Sequence, residues 1–147
     1  MRCWLLLLLA ACFCFPPQGR AGETEGLGIK AGRLRPCPES PNCVSSQSPD
    51  EKHFAPPLLH EGDRAGALSR LAGIVTSLER AKVVEIGEDY LRAEFTSRVF
   101  RFVDDVEFRF DSDGRTIHFR SASRVGWSDL GVNRKRVEAI RKKWNEK

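Results

Sequence analysis

From Asp63 onward the apolar residues of the chain recur with two different periods, and each change of period marks an element. Between Arg64 and Arg80, Leu68, Leu71, Val75 and Leu78 return at helical spacing. Ala72 and Ile74 edge the stripe, Arg70, Ser77 and Glu79 lie off it, and Asp63 is placed to cap the first turn. The period then falls to two. Val84 and Ile86 alternate with Val83 and Glu85; past a turn at Gly87-Glu88-Asp89, Leu91, Ala93 and Phe95 alternate with Arg92 and Glu94. Val106, Phe108 and Phe110 alternate with Asp105, Glu107 and Arg109, Asp113-Gly114 makes a tight turn, and Ile117 and Phe119 alternate with His118 and Arg120. The run from Val99 to Val103 is more uniformly apolar, and its Phe100 and Phe102 are expected to cover an edge of the core. Helical spacing returns near Asp129 or Leu130, with Leu130, Val137, Ile140 and Trp144 on one stripe and Lys135, Lys142 and Lys143 facing away.

One apolar sheet face and two one-sided helices predict an α+β fold. The expected form is a two-layer sandwich: a four-stranded antiparallel meander with both helices on one face, in the order α-β-β-β-β-α. The other sheet face carries charges of both signs, suited to cross-strand pairing in water.

The amino end has a different pattern. Arg2 is followed by an uncharged apolar run from Trp4 to Phe15 with five successive leucines. That run is shorter than the roughly 20 residues a bilayer-spanning helix needs, and it has the form of an export signal over residues 1–21. Two fates stay open: cleavage after Gly19-Arg20-Ala21, or lipidation at Cys12, where Leu9-Ala10-Ala11-Cys12 has the form of a lipobox. The expected destination is therefore periplasmic, secreted, or membrane-anchored as a lipoprotein. Residues 22–35, rich in Gly and Glu, read as a flexible tether, and residues 36–147 as a single domain.

Composition narrows the function classes. Charged residues make up 30% and hydrophobic residues 41% of the chain, which excludes wholesale disorder. The net charge is +4; without Arg2 and Arg20 there are 22 basic against 20 acidic residues, or +2, which is no nucleic-acid signature. Outside the export segment the only cysteines are Cys37 and Cys43. In an oxidising compartment their first reading is a disulfide closing a short loop, worth at most about 2 kcal/mol. A zinc site recruiting His53 and His60 has poor ligand spacing, so no metal and no cofactor is expected. The two histidines read as solvated loop residues.

The stretch from Arg120 to Arg136 is the densest in functional groups. Arg120 and Arg124 flank Ser121 and Ser123, and a helix start follows with Asn133 and Arg134. Guanidinium forks, hydroxyls and free backbone N–H groups suit a carboxylate or phosphate. These six residues form the candidate ligand site, with Asp104, Asp105 and Asp129 in support. The competing reading has the same arginines paired with Asp104 and Asp105 and the helix capped by Asp129, leaving a structural domain with no ligand. A hydrolase would take Ser121 or Ser123 as nucleophile and His118 as base, but no nucleophile elbow is present, and alternation puts His118 and Ser121 on opposite faces. Trp127 and Trp144 are expected to fill core gaps, and the basic tail helix to present a solvated face.

Three segments in order, Cys37-Pro38-Glu39-Ser40-Pro41-Asn42-Cys43-Val44-Ser45-Ser46, Val103-Asp104-Asp105-Val106-Glu107-Phe108 and Arg120 to Arg136, resemble the domain-of-unknown-function family fourteen ninety-nine. The resemblance covers most of the chain from about Arg35. It implies small exported or lipoprotein-like proteins and no established activity. Together these readings give an exported, non-enzymatic binding module for a small anionic ligand or an envelope protein partner, touching membrane only through a lipid anchor. The serine hydrolase and the ligand-free domain are the alternatives.

Overall fold

The computed structural model describes residues 26–146. The export segment with Cys12, and Gly22 to Glu25 of the expected tether, lie outside the described residues. In chain order the elements are β1 (Ile29–Lys30), β2 (Arg33–Leu34), β3 (Cys43–Ser45), β4 (Leu58–Leu59), α1 (Arg64–Thr76), β5 (Ala81–Ile86), β6 (Tyr90–Thr96), β7 (Val103–Phe110), β8 (Thr116–Ser123) and α2 (Val132–Asn145).

The fold is α+β. The four strands β5 to β8 follow one another antiparallel, and the sheet has six strands rather than four, because β3 and β4 both pair with β8 along its free edge. Neither addition was legible as an alternating run: β3 is buried throughout, and β4 is two residues long in a proline-rich passage. Leu91, Ala93, Phe95, Val106, Phe108, Phe110, Ile117 and Phe119 form one core cluster with Ala67, Leu71 and Val75 of α1 and Val137, Ile140 and Trp144 of α2. Each of the larger side chains contributes about 1.5–3 kcal/mol by leaving water.

Several local expectations shift. Asp63 caps α1 by accepting from the Gly66 N–H at 2.7 Å. The helix stops at Thr76, where the Thr76 and Ser77 hydroxyls donate back to the Ala72 and Ile74 carbonyls. A break in register between Val83 and Glu85 shifts the phase of β5 along its length: Ala81 and Val83, not Val84, pack on the core before the break, and after it Ile86 pairs with buried Leu91 but is itself exposed, at the end of the edge strand. The segment read as a tether is, over its described part, the β1–β2 hairpin: Leu34 is buried, and Arg33 and Leu34 bond Gln47.

Candidate functional site

Strands β7 and β8 sort the candidate residues onto opposite faces of the sheet. Asp104 pairs with Ser123, and Val106 with Ser121, so these polar groups share the helix-covered face with Phe108 and Phe119. Asp105, Glu107 and Arg120 fall on the other face.

On the helix face, Asn133 of α2 is the centre. It is 1% exposed, and its amide meets four partners. Oδ1 accepts from Ser121 Oγ at 2.5 Å and from Arg136 Nη1 at 2.5 Å, and Nδ2 donates to Ser123 Oγ and to the Asn42 carbonyl, each at 3.0 Å. Arg136 also donates to Asp104 Oδ2 at 2.6 Å and lies over the Phe95 ring. Asn42 adjoins Cys43, and the Cys37–Cys43 disulfide closes the loop that carries it. Its side chain donates to the Gly126 carbonyl at 2.6 Å. The disulfide loop, β8 and α2 are therefore joined through one buried amide.

On the other face, Glu94 and Asp105 stand directly opposite each other across β6 and β7. Like charges in that position repel. Arg124 resolves the conflict, donating to Glu94 Oε1 at 2.5 Å and to both Asp105 oxygens at 2.7 and 3.0 Å, while Arg92 adds a contact to Asp105 at 3.2 Å. The Asp105 hydrogen bonds hold the Arg124 guanidinium above its ordinary pKa, against the desolvation that opposes it. Two residues along, Glu107 is 0% exposed; it accepts from Tyr90 Oη at 2.7 Å, Arg120 Nη1 at 3.1 Å and the Gly28 N–H at 2.5 Å. The last bond comes from the lead into the hairpin, so this part of the face is roofed, contrary to the expectation of pairing in water. Burial, then the charge on Glu107, pushes the Tyr90 hydroxyl well above its usual pKa.

The six expected ligand residues are thus not brought together. Arg120 and Arg124 are paired on one face, Ser121 and Ser123 each bond Asn133 on the other, and Arg134 reaches away to the Lys52 and Phe54 carbonyls. Asp129 accepts from the Gly131 and Asn133 N–H groups at 2.9 and 2.7 Å, occupying the helix start an anion would take. Of the supporting acids, Asp105 meets Arg124, whereas Asp104 meets Arg136 rather than Arg120. Ser121 is fully buried, and His118 bonds not to it but to Ser46 Oγ at 3.2 Å, whose oxygen also accepts the Phe119 N–H. Burial lowers the His118 pKa despite nearby Asp111. The serine–base pairing that the alternative hydrolase reading would need is not made between His118 and Ser121, which lie on opposite faces of β8.

His53 and His60 are both buried, not solvated. His53 Nδ1 faces Asp50 at 2.9 Å and Nε2 the Ser40 carbonyl at 3.1 Å, an arrangement that lowers the Asp50 pKa to about 2. His60 stacks edge-on to Phe110, and both its ring nitrogens are buried without a partner.

The apolar residues of the same region also depart from expectation. Trp144 is buried, but Trp127 is 72% exposed and Leu130 87%. Leu130 and Gly131 both adopt left-handed backbone, so α2 begins two residues past Leu130, which falls off the apolar stripe. Phe100 is 74% exposed and stacks on half-exposed Phe102 instead of covering the core. Among the described residues no helix is long and apolar enough to cross a membrane.

A family model described as a protein of unknown function, DUF1499, matches residues 33–144. No curated protein matches the chain.

Proposed function

The chain belongs to the DUF1499 family of proteins of unknown function, and we propose that it is an exported, non-enzymatic binding module of the cell envelope. It docks through the loops at one end of its sheet. The supporting observation is the exposure of Phe100, Trp127 and Leu130 in two loops that leave the sheet at the same end, next to arginines that are already paired. Scattered exposed apolar residues need no explanation, but a group of large ones gathered at one end marks a contact surface. The reading as a binding module is further supported by Ser121, whose hydroxyl is buried and held by Asn133, and by the separation of His118 from it.

The partner contacts apolar loop tips, and the pairing of Arg124 with Glu94 and Asp105 anchors the base of the loop that carries Trp127 and Leu130. The test is fractionation of cells carrying Phe100→Ser and Trp127→Ser together. The expected result is a folded chain, with an unchanged melting temperature, released from the envelope fraction. Retention at the level of the parent chain would overturn the proposal.

A further inference from the structure

The docking end carries cations as well as apolar tips. In the β6–β7 loop, Ser97-Arg98-Val99-Phe100-Arg101-Phe102, every residue is exposed and none is acidic. The loop is closed at its base by the Ser97 N–H donating to the Phe102 carbonyl at 2.8 Å and the Phe102 N–H to Ser97 Oγ at 2.9 Å, so its tip is held out from the sheet. Phe100 and Phe102 stack at 5.5 Å, presenting one apolar surface on a loop that also carries Arg98 and Arg101. The neighbouring loop, from Arg124 to Gly131, leaves beside it: the Arg124 N–H donates to the Val103 carbonyl, the first residue of β7. It adds Val125, Trp127 and Leu130, all exposed. Its only acid, Asp129, is turned onto the α2 backbone. Lys135, in the first turn of α2, is exposed nearby.

Aromatic tips interleaved with arginine fit a surface that is apolar just beneath a layer of negative charge. We propose that this end of the molecule docks on a bilayer bearing anionic lipid. Phe100, Phe102, Trp127 and Leu130 enter the boundary between headgroups and acyl chains, and Arg98 and Arg101 bond lipid phosphates. The inference rests on the reading of these loops as the docking end and names what they dock on. A protein partner would need complementary acids and pockets; the bilayer needs only the chemistry the loops already present. The basic far end of α2 is a built-in control. Lys142 and Lys143 lie away from the loops, because Trp144 Nε1 donates to the Leu59 carbonyl, and Leu59 pairs with Thr116 at the opposite end of β8.

The test is co-sedimentation of the full chain with vesicles of equimolar phosphatidylcholine and phosphatidylglycerol, against phosphatidylcholine alone. All variants share the same amino-terminal segment, so differences between them report on the loops. Arg98→Glu with Arg101→Glu should weaken binding to the anionic vesicles by at least about thirtyfold. Phe100→Ser with Trp127→Ser should weaken it at least about tenfold. Lys142→Glu with Lys143→Glu, the same change of charge at the far end, should leave it near the parent value. Brominated lipid should quench fluorescence in the parent chain and less so in Trp127→Phe.

Binding that ignores the loop variants, or that Lys142→Glu with Lys143→Glu weakens equally, overturns the inference. Loop-independent vesicle binding combined with loop-dependent retention in the envelope fraction identifies a protein partner: it overturns the lipid assignment and leaves the docking end standing. Loss of neither property in the loop variants overturns both.

Discussion

Two parts of the stretch between Arg120 and Arg136 behave in opposite ways. Three of its arginines are taken up by the protein's own acids, buried Arg120 by Glu107 and half-buried Arg124 and Arg136 by Asp105 and Asp104, while Trp127 and Leu130 between them stand in solvent. The usual division, in which charge faces water and apolar side chains fill the core, is inverted here over fewer than twenty residues. The difference teaches that richness in functional groups is a poor guide to a site. A guanidinium beside two facing acids is a structural need of the sheet, and a tryptophan with no core to fill is the better mark of contact.

The contrast can be broken at several points. The largest effect is expected from Glu107→Ala, which leaves the Arg120 guanidinium buried without its partner. Equilibrium unfolding should show a loss of about 3–5 kcal/mol. Asn133→Ala comes next. It removes the acceptor of the Ser121 hydroxyl proton and of one Arg136 N–H, and one of the two donors to the Asn42 carbonyl, and the same measurement should show a loss of about 2–3 kcal/mol. Replacing Cys37 and Cys43 with serine should cost about 2 kcal/mol or less, because the loop they close is short. The orphaned ring nitrogens of His60 predict the reverse sign: His60→Leu should raise stability by about 1 kcal/mol, since an unsatisfied buried polar group is removed.

Acid should act on the interior side of the contrast. The folded pKa of His118 lies below 6.5, and those of Asp50 and Asp113 are lowered to about 2, Asp50 by His53 and Asp113 by the Thr116 hydroxyl. All three groups bind protons more readily in the unfolded chain, so their contributions are fully present at neutral pH and are lost on acidification. Melting temperature should fall first as pH drops below 6.5, and again from about 4 toward 2. His118→Gln should remove the first step and leave the second.

The two helices and the strands β6 to β8 were legible in the sequence because their apolar residues keep one period through each element, whereas β5 was read out of phase because a register break interrupts it. The roof over Glu107 was not legible. A Gly-rich segment of two-residue strands carries no period, and its contact with β7 spans 79 positions in the chain. A pairing of Arg124 with Asp105 was one of the two readings open from the sequence, but Glu94 looked like an ordinary outward charge, since only register reveals that it faces Asp105 and shares Arg124 with it. Trp127 and Phe100 were read as core because size and apolarity do not encode exposure. The left-handed backbone at Leu130, which delays α2, had no glycine at its own position to announce it.

The smallest expected change carries the most weight. If the loop end is a contact surface rather than part of the core, the unfolding free energy of the chain carrying Phe100→Ser, Phe102→Ser and Trp127→Ser should stay within about 0.5 kcal/mol of the parent. A loss of about 2 kcal/mol or more would mean that these residues hold the fold together, and would contradict the account.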